Sequence, residues 1–96
     1  MDYYTIKEVE LHNITSDTVW IVINDNVYDI TSYIERELHP GGNEVFNKYA
    51  GTDATKRFTE LHSKDAWSEL EQYKIGYLKN TDSLITKIYN MIPKLF

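Results

Sequence analysis

Apolar residues along the chain switch between a strand-like and a helix-like period. Thr18-Val19-Trp20-Ile21-Val22-Ile23 is a β-branched and aromatic run bounded by polar residues, which predicts a strand. Asn24-Asp25-Asn26 has turn chemistry, and Val27-Tyr28-Asp29-Ile30 resumes the strand pattern, giving a hairpin. Upstream, Thr5 is placed to cap a helix from Ile6 to about Asn13, with Glu8 as its capping-box partner. Downstream, Thr31 or Ser32 starts a helix through about Leu38, with Glu35 positioned to complete a box. His39-Pro40-Gly41-Gly42 breaks the chain. Asn43 then opens a helix to about Tyr49, and Thr52 or Asp53 caps another from Ala54 to about Leu61. His62-Ser63 interrupts it, Lys64 to Tyr73 is helical, and Lys74-Ile75-Gly76-Tyr77-Leu78 predicts a last short strand. A hairpin, four short helices and a closing strand make an α+β domain over residues 1–80. Two helical pairs can form a pocket on one side of its small sheet. Residues 81–96 carry Leu84, Ile85, Ile88, Tyr89 and Ile92 at helical spacing, which predicts a short amphipathic tail helix packed on the domain.

Composition narrows what such a domain can do. With 96 residues there is one domain and a modest core, which a buried cofactor would help to stabilise. The absence of cysteine removes disulfides, zinc-thiolate and iron–sulfur sites, thiol nucleophiles and covalent haem attachment through Cys-x-x-Cys-His. A formal net charge of −5 argues against nucleic acid and favours basic protein partners. Met1-Asp2-Tyr3-Tyr4-Thr5 has no basic or apolar leader pattern. The tail falls short of the roughly 20 apolar residues of a membrane span. A soluble, cytoplasmic, monomeric protein is expected.

The candidate chemistry lies in three histidines. Proline holds the residue before it out of the α region, so His39 projects from extended backbone just past a helix end. The two glycines after Pro40 remove side-chain bulk and allow a flat group to approach. The same four residues also suit an ordinary turn. His62 lies 23 residues later with two helices between, so paired helices can bring the imidazoles face to face. Alone, it equally fits a capping histidine at a helix C-terminus. His12 has a capping role only. Around the pair stand Val45, Phe46, Tyr49, Phe58, Leu61, Trp67 and Leu70. Zinc or copper would need further N, O or S ligands close by, whereas haem needs two axial ligands and an apolar slot. The surroundings favour haem.

The run His39-Pro40-Gly41-Gly42, then Ala50-Gly51-Thr52-Asp53-Ala54-Thr55, Phe58, His62-Ser63, Ala66 and Ile75-Gly76-Tyr77-Leu78 resembles the cytochrome b5 haem-binding family. Trp20-Ile21 with Val27-Tyr28-Asp29-Ile30-Thr31 matches that family's opening hairpin, so the likeness covers roughly residues 3–80. The resemblance implies a non-covalent haem b with His39 and His62 as axial ligands. It implies that Val45, Phe46, Phe58, Leu61 and Leu70 line the slot, that Ser63 lies near a haem propionate, and that Gly41 and Gly42 let the backbone pass the haem edge.

It also implies a one-electron carrier that is not itself an enzyme. The donor would be a flavoprotein reductase of the cytochrome b5 reductase type, and the acceptor an enzyme such as a desaturase or hydroxylase. The alternatives are a haem-binding regulatory module without electron turnover and a cofactor-free interaction domain. The chain departs from the family pattern in places. The helix before His39 is about two residues longer, which leaves open whether Ile34 or Leu38 faces the haem. Leu70 falls eight residues after His62, where seven is common and Glu69 stands. The family's acidic ring persists at Glu44 and Glu60 but is diluted by Asn43, Lys48, Lys56 and Arg57.

Overall fold

The computed structural model of the chain describes residues 1–61 and 63–79, the Leu61 side chain excepted. His62 and the tail expected over 81–96 lie outside the described residues. The elements run β1 (Asp2–Tyr4), α1 (Ile6–Glu10), β2 (Trp20–Ile23), β3 (Asn26–Asp29), α2 (Thr31–Glu35), α3 (Val45–Tyr49), α4 (Thr55–Leu61), α5 (Lys64–Leu70), a 3-10 turn (Glu71–Tyr73) and β4 (Lys74–Leu78). The strands form one mixed sheet in the order β1-β4-β3-β2, and the fold is α+β as expected.

The hairpin turn is tighter than the sequence suggested. Asn24 and Asp25 both adopt the left-handed conformation, at φ 51° and 62°, which makes a two-residue type I′ turn. Asn26 therefore belongs to β3, paired with Ile23. Strand β1 has no local signal. It forms because β4 offers a parallel partner, with Asp2 opposite Gly76 and Tyr4 opposite Leu78.

Alternation along β2 splits the core. Val22 packs with Val9 of α1 and Val27 of β3 on one face, all fully buried. Ile21 and Ile23 point to the other face, where Tyr28, Ile30, Phe46 and Leu70 join them. Each such side chain contributes on the order of 1.5–3 kcal/mol through burial.

β2 would be an edge strand, but its outer edge is bonded to the segment before α4. Gly51 N–H donates to Trp20 O at 2.7 Å, Val22 N–H to Thr52 O at 3.0 Å and Ala54 N–H to Val22 O at 2.8 Å. The strand is also clamped at both ends by one repeated device. At Asp29-Ile30-Thr31, the Thr31 amide and hydroxyl donate to Asp29 Oδ1 (3.0 and 2.5 Å), and Thr31 Oγ1 accepts from Val19 N–H at 2.9 Å. At Asp53-Ala54-Thr55, the Thr55 amide and hydroxyl donate to Asp53 Oδ1 (2.9 and 2.6 Å), and Thr55 Oγ1 accepts from Asn24 N–H at 2.8 Å. Each carboxylate satisfies helix-start donors, and each hydroxyl ties that helix to one end of β2.

Three helices are shorter than expected: α3 begins at Val45 rather than being opened by Asn43, and α1 and α2 stop early. α1 stops at Glu10 rather than near Asn13, and its Thr5 cap is formed, with Oγ1 accepting from Glu8 N–H at 3.1 Å. α2 stops at Glu35 rather than Leu38. Its end is a Schellman motif: Leu38 N–H donates to Tyr33 O at 3.3 Å and Glu37 N–H to Ile34 O at 3.1 Å. Glu37 takes the left-handed position at φ 52°, where glycine is usual. The extra residues before His39 are thus used as a cap, not as more helix.

Two substitutions test these features. Glu37→Gly should raise stability by up to about 1 kcal/mol, measured by urea unfolding, because the left-handed residue no longer carries a Cβ. Gly76→Ala should lower it by about 1–3 kcal/mol, since the added methyl would overlap the Asp2 carbonyl oxygen and lie 2.8 Å from Tyr4 Cε2. Amide exchange at Tyr4 and Lys79 should accelerate in that variant; unchanged protection there would contradict the tight β1–β4 approach.

Candidate functional site

The helical face of the sheet does not close on itself. It leaves a cavity of about 250 Å³ between α2–α3 on one side and α4–α5 on the other. Ile21, Ile23 and Ile30 form its sheet-side floor. His39, Pro40, Gly41, Gly42, Val45, Phe46 and Tyr49 line one wall, with Tyr33 beside them. Ala54, Phe58, Ala66, Leu70 and Tyr73 line the other.

The His39 loop is held by hydrogen bonds from both directions. Asn43 Nδ2 donates to Ile34 O at 2.9 Å, fastening the loop back on α2. Gly42 N–H donates to His39 O at 3.0 Å, closing the turn. Gly41 and Gly42 lie at φ 90° and 93°, conformations that side chains rarely adopt, so glycine is required there by the backbone alone. The imidazole is fixed as well: His39 Nδ1 is 2.8 Å from Gly42 O. A carbonyl can only accept, so Nδ1 carries the proton and the neutral ring has its lone pair at Nε2. A hydrogen bond of this type fixes the tautomer of a metal-binding histidine and raises its basicity.

Aromatic rings hold the imidazole edge-on. Phe46 meets His39 at 5.2 Å between centroids and Tyr33 does so at 6.4 Å, both T-shaped. Tyr33 also contacts Phe46 at 6.1 Å and Tyr73 at 5.6 Å. On the far wall Phe58 packs against Trp67 at 4.7 Å. Burial pushes the Tyr33 phenol above the usual tyrosine range, and Glu69 and then Tyr73 push it the same way.

Gly41, Gly42, Val45, Phe46, Phe58 and Leu70, the expected pocket residues, all line the cavity. Ser63 does not; it is exposed, and its hydroxyl accepts weakly from Ala66 N–H at 3.5 Å as the cap of α5. Leu61 and His62 follow Phe58 in sequence, but the Leu61 side chain and His62 lie outside the described residues. The choice between Ile34 and Leu38 resolves to neither. Ile34 packs into the core, Leu38 is 39% exposed, and Tyr33 lines the cavity instead. Sequence reasoning also missed the isoleucine floor, which the alternation of β2 already encoded; Arg57 and Glu69, both departures from the family pattern, lie on the lining. Among the described residues no group of three or more His, Cys, Asp and Glu side chains is disposed to hold a bare metal ion.

Residues 5–79 match the family model of the cytochrome b5-like heme/steroid binding domain. The chain is 46% identical over 77 residues to cytochrome b5 of Musca domestica, an alignment spanning 79% of this chain and 55% of the fly protein. It is 43% identical over 79 residues to nitrate reductase [NADH] 1 of Phaseolus vulgaris, covering 82% of this chain and 9% of that enzyme. Among solved structures it is similar to cytochrome b558 of Ectothiorhodospira vacuolata, a prokaryotic homologue of cytochrome b5, with TM-score 0.68, 31% identity and coverage of 81% and 99% of the two chains. It is similar also to cytochrome b5 of Ostreococcus tauri virus 2, with TM-score 0.67, 32% identity and coverage of 79% and 95%.

Tyr33 protonation contributes stability that is complete below the unfolded tyrosine pKa of about 10 and is lost as pH rises through the higher folded value. Tyr33→Phe should therefore flatten the fall of the urea midpoint above about pH 10. It should not abolish the fall, because burial raises Tyr4 and Tyr28 as well. Identical alkaline slopes for variant and parent would show that Tyr33 ionises as easily folded as unfolded.

Proposed function

The chain belongs to the cytochrome b5-like haem/steroid-binding family, whose cytochrome b5 members bind haem b non-covalently and carry electrons without being enzymes, and on that premise we propose that it is a one-electron carrier using His39 and His62 as axial ligands. The observation that carries this reading is the His39 Nδ1–Gly42 O bond at the wall of an apolar cavity, which leaves Nε2 as the metal-binding nitrogen. The lining fits the group: a flat, mostly apolar ligand suits isoleucine, valine, leucine and phenylalanine walls, with glycine where the backbone comes closest. Bound haem supplies Fe(III)/Fe(II) cycling.

The protein's own part is positional. The Gly42 carbonyl holds the His39 ring in one tautomer. Phe46 and Tyr33 keep it from rotating, and the isoleucine floor excludes water. Were His39 and His62 both to hold the iron, no position would remain for dioxygen or substrate, which would favour outer-sphere electron transfer. Val45, Phe58, Leu61 and Leu70 complete the slot in this reading, and Gly41 and Gly42 border its edge. The donor is a flavoprotein reductase and the acceptor an oxidoreductase. The nitrate reductase relative carries such a segment inside a larger enzyme, and the chain spans only about half of the fly cytochrome it matches. Among the described residues no helix is long and apolar enough to cross a membrane.

The protein reconstituted with hemin and reduced by dithionite should show sharp low-spin α and β bands. His39→Ala and His62→Ala should each abolish them; persistence of the low-spin spectrum in both variants would refute the ligand pair. Reduction by a flavoprotein reductase separates the electron carrier from a haem-binding regulatory module, which would bind hemin yet resist enzymatic reduction.

A further inference from the structure

The cavity lining is apolar with few exceptions, and two of these carry charge. Arg57 is the one lysine or arginine among the described lining residues, and Glu69 the one carboxylate. Arg57 sits on α4 between Ala54 and Phe58, three residues after the first and next to the second, and all three line the same wall. Yet the residue as a whole is exposed, while Ala54 is buried. An arginine in that position lays its aliphatic stem along the apolar wall and keeps its guanidinium at the mouth. Among the described residues the acidic side chains nearest to it in sequence form no ion pair with it. Asp53 Oδ1 accepts from the amide and hydroxyl of Thr55, and neither Glu60 nor Glu69 forms an ion pair with Arg57 among the described residues.

The geometry points to Arg57 as the carboxylate-binding residue of the pocket, a guanidinium that holds a propionate of bound haem at the mouth and selects the edge that faces solvent. This rests on the haem reading above. Haem carries both its carboxylates on one edge and is apolar elsewhere, so the slot takes the apolar edge and the charged one stays outside. A planar fork of N–H donors matches a carboxylate bidentately. Glu69, on α5, repels the same group, so the two rim charges act together and turn the carboxylate edge towards α4 and away from α5. Ser63, the residue expected from the family pattern to serve a propionate, is outside the lining and its oxygen caps α5.

The test compares hemin with its dimethyl ester, which has the same ring and iron but no carboxylates. Haem release to an apoprotein acceptor is timed for the parent chain, Arg57→Gln and Arg57→Lys. Arg57→Gln should release hemin about two- to fivefold faster, the range of a solvent-exposed ion pair, and Arg57→Lys should fall between. With the dimethyl ester, all three should release at one rate. Equal acceleration for both porphyrins would mean that Arg57 acts through packing alone, and no acceleration for hemin would mean that it has no part in binding; either result overturns the proposal. A parent chain that fails to take up hemin would instead refute the haem reading, and the carboxylate clamp with it.

Discussion

The structure depends on the saturation of β2. A four-residue strand at the end of a sheet should be its weakest element, with one row of amides and carbonyls left to water. Here the segment 51–54 lies along that row and takes it up, at 2.7, 2.8 and 3.0 Å. The strand is buried on both faces, with Val22 towards α1 and Ile21 and Ile23 towards the cavity. Its ends are held by the two Asp-x-Thr clamps. One strand therefore belongs at once to the sheet, to the core beneath it and to the helices above.

The His39 loop shows how a local irregularity is made compatible with a fixed side chain. A chain two residues longer than its family pattern could have displaced the histidine. Instead the surplus winds into the Schellman end of α2, with Glu37 in a conformation that suits it poorly. Leu38 is left partly exposed as a consequence, and Tyr33 becomes the residue that reaches the cavity. Beyond this point the loop is closed by Gly42 and the imidazole itself, and Asn43 fastens it to Ile34 of α2.

Much of this was legible in the residues. The hairpin, the closing strand and the four helices of the middle followed from period and capping. Gly41, Gly42, Val45, Phe46, Phe58 and Leu70 are expected around a slot from the family resemblance, and they line the cavity. What could not be read depended on partners distant in sequence. β1 is three residues of ordinary composition until β4 pairs with it. The length of α2 is decided by Glu37 adopting a backbone conformation that its side chain disfavours. Ser63 is expected near a propionate from the family resemblance; its hydroxyl also accepts from Ala66 N–H as the cap of α5, a role set by the helix that follows it. Arg57 is, in the sequence, one of the basic residues diluting the family's acidic ring, and its place on the cavity lining beside Ala54 and Phe58 comes from the fold.

The two Asp-x-Thr clamps have a metrical consequence. α2 starts from one end of β2, and His39 follows four residues after that helix ends; α4 starts from the other end, and His62 follows it directly in sequence. The strand is the beam of a caliper, about 13 Å long at the usual rise per residue, and the short helices are its arms. At about 1.5 Å per helical residue the arms are too short to accumulate much bending. The strand thus sets the separation of the points from which α2 and α4 start. Adding or removing one residue in β2 would shift one helix start by about 3.3 Å and would also exchange the two faces of the strand, so length and floor cannot be changed separately.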